Sequence, residues 1–149
     1  MKKYRFRLAT VLRVRRIEEE QARAVLMQAN HAVTAANAEV HAREEALAAR
    51  NAAHGTMSRE AFLALQGQGA RLAEAVRTAS ARRAEALAIQ AARRAEWSLR
   101  AQRVSSLERL DERQHEAYAI ELNREEIKVV DDLVTNRFGR QERRQEHHV

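Results

Sequence analysis

The five residues His54-Gly55-Thr56-Met57-Ser58 divide a chain of 149 residues that contains no proline. Because proline is the strongest helix breaker, its absence allows long helices on both sides of this break. Gly55 can end the first helix in the left-handed conformation, and Ser58 can cap the second. Met57 and Phe62 are spaced to touch across that cap. The sequence therefore predicts an all-α chain in which one short turn joins two helices.

The predicted architecture is a long antiparallel two-helix coiled-coil hairpin, since a turn this short sends the chain back beside itself. We expect a single elongated domain over residues 1–149. Its parts are a first helix at about 5–52, a turn at about 53–58, a second helix at about 59–138 and a polar flexible tail at 139–149. The second helix is then the longer one and overhangs the first.

Alternating steps of three and four residues indicate a coiled coil, in which these positions form the core of the heptad repeat. In the first helix the predicted core positions are Leu8, Leu12, Arg15, Glu19, Ala22, Leu26, Ala29, Val33, Ala36, Val40, Arg43 and Leu47. In the second they are Phe62, Leu65, Gly69, Leu72, Val76, Ala79, Arg83, Ala86, Gln90, Arg93, Trp97, Arg100, Val104 and Leu107. Most are apolar, and many are alanines that allow the helices to approach closely.

Two glycines, Gly67 and Gly69, interrupt the early part of the second helix. Each is about 1 kcal/mol less favourable than alanine inside an exposed helix. They therefore indicate either a local kink or a close contact with another part of the chain.

The turn also predicts a register. If Leu47 packs near Phe62, antiparallel pairing places Leu12 beside Trp97. The second helix then continues past Leu107 with apolar residues that have no partner in the chain. An apolar stripe of this kind needs something to bury it, which is either a second copy of the chain or a larger assembly.

Composition limits the classes of protein that the chain can represent. Hydrophobic residues make up 45%, aromatic residues 4% and charged residues 32%, which is typical of exposed helices rather than of a globule with a thick core. Cysteine is absent, so we expect no disulfides and a cytoplasmic setting. No apolar run approaches the roughly 20 residues that span a bilayer. The net charge of +6 favours acidic partners.

We find no motif of an enzyme active site: neither a phosphate-binding glycine loop nor a nucleophile elbow nor a zinc-protease helix occurs. A two-helix rod also lacks a water-excluding cleft. We therefore expect no catalytic residues, no cofactor and no metal, and we interpret His147 and His148 as part of the tail. The arginine pairs at 82–83, 93–94 and 143–144 can contact phosphates, but we interpret them as solvated flanks and expect no specific nucleic-acid partner.

Motifs at both ends resemble those of the FliJ family of flagellar protein export components. The segment Phe6-Arg7-Leu8-Ala9-Thr10-Val11-Leu12-Arg13-Val14-Arg15 is similar to the F-x-L-x-x-[VL]-L-x-x-[KR] opening of that family. Trp97, the run Leu107-Glu108-Arg109-Leu110-Asp111-Glu112-Arg113, and the closing Val130-Asp131-Asp132-Leu133-Val134-Thr135-Asn136-Arg137-Phe138 are similar to its later motifs. The likeness spans nearly the whole chain.

The resemblance implies a non-enzymatic stalk, coupling factor and general chaperone-like component of the flagellar type III export apparatus. Members of the family insert into the hexameric export ATPase and contact the cytoplasmic domain of the membrane export gate. Export chaperones are further expected partners. The expected location is cytoplasmic, with peripheral association at the inner-membrane export apparatus.

Site residues follow from the same resemblance. The residues expected to contact the ATPase are Phe6, Leu8, Arg13, Arg15, Leu110, Tyr118, Ile127 and Phe138. Seven basic residues precede Glu18, the first acidic residue, and we expect them to face acidic loops of the ring: Lys2, Lys3, Arg5, Arg7, Arg13, Arg15 and Arg16. The gate contact of the family matches Leu72 and Ala75, whereas Gln68 and Ala79 depart from its pattern.

Two other functions stay open at this point. One is the central stalk of a virulence-type secretion ATPase, which shares the hairpin. The other is a basic coiled-coil protein that binds nucleic acid or an anionic membrane.

Overall fold

The chain forms two α-helices joined by one short connection. The computed structural model describes residues 3–52 and 55–145, and it describes side chains up to residue 135. Helix α1 is Ala9–Ala52, with 44 residues, and helix α2 is Arg59–Gln145, with 87 residues. No strand occurs in the described part of the chain. The predicted all-α hairpin with a longer second helix is confirmed.

Both ends of the helical region differ from the sequence prediction. Helix α1 begins at Ala9 rather than near residue 5, because the residues before it form a non-helical arm. Helix α2 continues to Gln145, beyond the predicted end at residue 138 and into the stretch expected to be a flexible tail. No proline or positive-φ glycine stops it there.

The predicted heptad core of α1 is confirmed by burial. Leu12, Ala22, Ala29, Val33 and Val40 each expose less than a tenth of their surface. Each step between them is a sum of three- and four-residue steps, so they form one continuous stripe on the helix. This stripe is the face that α1 buries.

The core positions of α2 are less deeply buried than those of α1. Ala79 is the buried one, and Leu72, Val76 and Trp97 are half-buried. The predicted core positions of the two helices that the structure leaves exposed are Leu8, Arg43, Phe62, Arg83 and Arg93. Charged side chains at core positions reach past the neighbouring helix to water, as long arginine side chains commonly do.

Polar contacts between the helices establish their direction and register. Among the side-chain pairs that join α1 to α2 are Glu19 with Trp97 at 2.6 Å, Asn30 with Gln90 at 2.7 Å, and Glu39 with Arg82 at 3.2 Å. Residue numbers rise in α1 as they fall in α2. The helices are therefore antiparallel, as predicted.

The register itself differs from the prediction by one heptad. Trp97 lies against Glu19, where the sequence analysis placed Leu12. A slide of one heptad brings core positions opposite core positions again, so the apolar pattern fits both registers almost equally. The hydrogen bonds of the polar pairs distinguish them. The predicted contact of Leu47 with Phe62 is wrong in the same way, since Phe62 is 50% exposed.

The start of α2 is capped as predicted. The backbone N–H of Ala61 donates to Ser58 Oγ at 3.2 Å, and the N–H of Phe62 donates to the Ser58 carbonyl at 3.0 Å. These bonds satisfy amides that have no partner inside the helix. The left-handed conformation predicted for Gly55 is wrong, because no glycine in the described residues has a positive φ.

A contact near the turn explains one of the two glycines in α2. The Arg50 guanidinium donates to the Leu65 carbonyl through Nη2 at 2.6 Å and through Nε at 3.2 Å. A Cβ on Gly69 would lie 2.7 Å from Arg50 Cζ, whereas a Cβ on Gly67 would meet nothing within 4 Å. Gly69 thus makes room for Arg50, and α2 remains helical through both positions.

Contacts within the chain define two compact units. One comprises residues 15–103, and the other comprises residues 1–14 together with 104–149. The Trp97 and Arg50 contacts belong to the first unit.

The two glycines provide a matched pair of substitutions. Gly67→Ala is expected to stabilise the chain by about 1 kcal/mol through helix propensity. Gly69→Ala should give a smaller gain, because the new methyl group displaces Arg50 from the Leu65 carbonyl. Urea unfolding measures both values.

The control for this pair is the Arg50→Ala background, in which the two glycine substitutions should stabilise the chain equally. Equal gains in the parent chain would show that Arg50 does not restrict position 69.

Candidate interaction site

The arm that precedes α1 is fastened to α2 by Tyr4. The Tyr4 hydroxyl donates to Asp111 Oδ1 at 2.6 Å and lies 3.1 Å from the Asp111 carbonyl oxygen. The Tyr4 ring packs edge-on against His115, with ring centroids 5.0 Å apart, and against Tyr118 at 5.6 Å. Asp111, His115 and Tyr118 lie on successive turns of α2, and all three contact the side chain of Tyr4.

Phe6 completes the attachment of the arm. Its side chain is 7% exposed, and its carbonyl accepts the backbone N–H of Ala9 at 3.3 Å. The hydrogen bond forms a turn that leads into α1, and the Leu8 carbonyl then accepts the N–H of Leu12 at 2.9 Å. An extended arm with two anchoring aromatic side chains is the reason that helix α1 starts later than predicted.

The pKa of Tyr4 is raised from 10.0 to about 12, chiefly by burial and in addition by the hydrogen bond to Asp111 and the charge of that carboxylate. The folded arm therefore favours the protonated phenol. Its contribution to stability is present below pH 10 and is lost as the pH rises from 10 through 12. At neutral pH the contact is fully formed.

Beyond Tyr118, α2 carries a broad apolar face that the described residues leave mostly exposed. We call it the distal apolar face; its residues are Ile120, Leu122, Ile127, Val129, Val130, Leu133 and Val134. All except the half-buried Leu122 are 47% to 65% exposed. At 3.6 residues per turn they span roughly 180° of the helix circumference. This is wider than the narrow core stripe of a two-stranded coiled coil.

The polar side of the same tract is acidic. Between residues 119 and 135 the acidic residues are Glu121, Glu125, Glu126, Asp131 and Asp132, and the basic ones are Arg124 and Lys128. Arg124 already pairs with Glu121 at 3.6 Å. The tract is thus opposite in sign to the chain as a whole, whose net charge is +6.

A polar layer interrupts the core of the other unit. Glu19 is 8% exposed, and its Oε1 accepts hydrogen bonds from Trp97 Nε1 at 2.6 Å and from Arg23 Nη2 at 2.9 Å. A buried carboxylate with two donors is satisfied, whereas an unpaired one would be strongly destabilising. The layer fixes one alignment of the helices.

Glu18, beside the polar layer, is tied to both helices. Arg15 Nη1 donates to its carboxylate at 2.8 Å, and Arg100 Nη1 donates to its backbone carbonyl at 3.2 Å. The hydrogen bond from Arg15 lowers the pKa of Glu18 below 4.5; the charges of Arg15, Arg100 and Arg103 also lower it, and burial opposes them. This contribution to stability is therefore present above pH 4.5 and is lost in more acidic solution.

The structure separates the residues expected to contact an ATPase into exposed and covered groups. Ile127 is exposed on the distal apolar face, and Arg13 is also exposed. Leu8 is 37% exposed. Phe6 is buried and serves to hold the arm, so its side chain is not available to a partner.

The other expected contact residues are partly engaged. Leu110 and Tyr118 are half-buried, and Tyr118 packs on Tyr4. Arg15 is half-buried and pairs with Glu18 at 2.8 Å. The side chain of Phe138 lies outside the residues whose side chains are described.

The two residues expected to contact an export gate, Leu72 and Ala75, are half-buried along the helix pair. Phe62 and Leu63, earlier in α2, are more exposed at 50% and 59%. The early second helix therefore offers its largest accessible apolar side chains before Leu72.

Sequence analysis missed the Tyr4 contact. Tyr4 and Phe6 are two residues apart, and residues at this spacing share one side of an extended segment. The first helix was expected to begin at about residue 5, so this spacing was not interpreted as that of an arm. The apolar residues after Leu107 were expected to form a stripe, whereas counting by 100° per residue reveals a wider face.

Several expected solvated arginines form ion pairs within the chain. Arg82 pairs with Glu39 at 3.2 Å, and Arg93 pairs with Glu96 at 3.1 Å. The pair at 143–144 lies outside the described side chains. In the described residues no helix is long and apolar enough to cross a membrane, and no group of three or more histidine, cysteine, aspartate or glutamate side chains is placed to hold a metal ion.

Comparison with known proteins gives one match. The model of the flagellar FliJ protein family matches residues 3–143, which is nearly the whole chain. Searches among curated proteins and among solved structures find no match.

The Tyr4 contact predicts an unusual titration. With Tyr118 replaced by phenylalanine, Tyr4 is the remaining tyrosine, and its phenolate absorbance should rise with a midpoint near pH 12. Adding Asp111→Asn should move the midpoint toward 10, because the charged acceptor is lost.

Glu112→Gln is the matched control for Asp111→Asn, since it removes the neighbouring carboxylate and should leave the midpoint near 12. A midpoint near 10 in the Tyr118→Phe chain would contradict the docked arm.

Proposed function

Because the chain belongs to the FliJ family and is a component of flagellar protein export, we propose that it is a non-enzymatic stalk and coupling factor. Its terminal end, formed by the arm and by α2 beyond Tyr118, inserts into the hexameric export ATPase. The observation that carries this proposal is the distal apolar face, which is exposed over most of its length.

The width of this face supports an enclosing partner. A second helix covers a narrow stripe, whereas roughly 180° of apolar circumference needs contact from more than one element at once. The central opening of a ring of subunits provides such contacts. Singly exposed apolar residues are normal on protein surfaces, but a contiguous exposed face indicates an interaction site.

Helix continuity supports mechanical coupling. Helix α2 runs without interruption from Arg59 to Gln145, and the Glu19–Trp97 and Arg50–Leu65 contacts hold α1 along it. A helix that binds inside the ring can favour one conformation of the ring subunits over another and so change their activity. This is allosteric coupling between binding and catalysis in the partner, with the chemistry left to the ATPase.

The proposal also gives the remaining surfaces a function. Contact with the cytoplasmic domain of the export gate involves the early second helix around Leu72 and Ala75, where the exposed Phe62 and Leu63 extend the apolar surface. Export chaperones bind as part of the same chaperone-like role. The protein works in the cytoplasm, peripherally attached to the export apparatus at the inner membrane.

The role of the distal apolar face can be tested by moving one carboxylate between adjacent positions. Val134→Asp places a charge on the apolar face and should weaken binding to purified export ATPase by about tenfold or more, because that charge is desolvated at the contact. Thr135→Asp makes the same change in charge on the polar side and should alter affinity by about twofold at most. Binding and stimulation of ATP hydrolysis are the measurements.

Circular dichroism of both variants verifies that α2 remains helical. Equal binding by the two variants would exclude the distal apolar face as the inserted surface. Duplex DNA serves as the competitor: if the chain failed to bind ATPase but retained DNA at about 0.2 M salt, the proposed function would be wrong.

A further inference from the structure

One acidic residue lies inside the distal apolar face. Glu126 is exposed, and its neighbours on the surface of the helix are Leu122 at i−4, Val129 at i+3, Val130 at i+4 and Leu133 at i+7. Three of these apolar neighbours are 56% to 65% exposed. The other carboxylates of the tract lie on the polar side or at its border.

Among the described residues, no basic side chain forms an ion pair with Glu126, and no hydrogen bond involves it. Arg124 and Lys128 each lie two residues away along the chain, and Arg124 pairs with Glu121 instead. Lys128 lies on the polar side of the helix at 100° per residue. The carboxylate is therefore hydrated while the face is free and loses that water when the face is covered.

Covering this carboxylate without a counter-charge is strongly unfavourable. A second copy of the chain would bring acidic residues to the same contact, since the tract from 119 to 135 holds five acidic and two basic residues. An anionic lipid surface would repel it for the same reason. A partner surface that is apolar but includes a basic side chain can cover the apolar residues of the face and also pair with the carboxylate of Glu126.

We infer that Glu126 is the specificity-determining residue of the distal apolar face, and that the surface receiving this face presents an arginine or lysine side chain within an apolar lining. The inference rests on the proposed function, in which that surface belongs to the export ATPase. Glu126 thereby disfavours self-association and selects a basic partner, so that one residue supplies both attraction and exclusion.

This charge pattern also revises the electrostatic expectation for the partner. The charged residues before Glu18 are all basic and attract acidic groups of a partner. The tract around Glu126 attracts basic groups instead. The receiving surface therefore carries both signs at different places. A uniformly acidic lining would attract the arm and repel the tract.

The direct experiment compares neighbouring residues that undergo the same chemical change. Affinity for purified export ATPase is measured for the full chain with Glu126→Gln and with Glu125→Gln. Glu126→Gln is expected to weaken binding by about tenfold or more, because the partner cation is left without its counter-charge at a covered contact. Glu125→Gln, on the polar side, should change affinity by about twofold at most.

A second measurement tests exclusion of the chain's own copies. Glu126→Leu makes the face uniformly apolar and should raise self-association in sedimentation equilibrium by about tenfold. Glu125→Leu is the control and should leave self-association close to that of the parent chain. Both variants retain helix-favouring residues, so loss of folding does not obscure the result.

The outcomes separate the two proposals. If Val134→Asp loses ATPase binding while Glu126→Gln and Glu125→Gln bind like the parent, the inserted surface is correct and the inference about Glu126 is overturned. If the parent chain itself does not bind the ATPase, the proposed function fails and the inference fails with it. A tenfold difference between the two glutamine variants supports both.

Discussion

The alignment of the two helices depends on the hydrogen bond between Trp97 and Glu19. Apolar heptads resist separation of the helices, but they do little to prevent a slide of one heptad, because the same kinds of residue meet again. A buried carboxylate that needs two donors cannot be moved in this way without losing them. Trp97 and Arg23 supply those donors, at 2.6 and 2.9 Å, and the pairs Asn30–Gln90 and Glu39–Arg82 agree with the same register.

Once the register is fixed, the unequal lengths of the helices have a functional consequence. Helix α1 has 44 residues and α2 has 87, so α2 contains a long tract that α1 cannot cover. The arm anchored by Tyr4 contacts α2 as far as Tyr118, and the exposed apolar residues begin directly afterwards. The described residues thus leave exposed a stretch that is both broadly apolar and acidic, which is the surface a partner must match in shape and charge.

Much of this architecture could be predicted from residue types alone. The absence of proline, the cap at Ser58 and the spacing of Leu12, Ala22 and Val40 gave the correct helices and the correct buried face. The motifs at the two ends also pointed to the FliJ family, which the family match confirms. For Gly69 the sequence left two alternatives, a local kink or a close contact with another part of the chain. It offered no way to identify Arg50 as the neighbour. Residues 5–8 were wrongly predicted as helix. Helix propensity is a local property and does not reveal that Tyr4 binds the distant Asp111.

The sequence by itself determined the number of helices, their antiparallel pairing and the apolar positions, because these follow from local periodicity and from a short connection. The tertiary structure alone decided the register, the docking of Tyr4 on Asp111 and the accommodation of Arg50 over Gly69. Each of these depends on a polar group meeting a partner far along the chain, with a geometry that periodicity does not encode. The distal apolar face around Glu126 depends on the sequence and on the tertiary structure. Its residues can be read from the sequence, whereas its exposure is visible only when the other described residues have been placed.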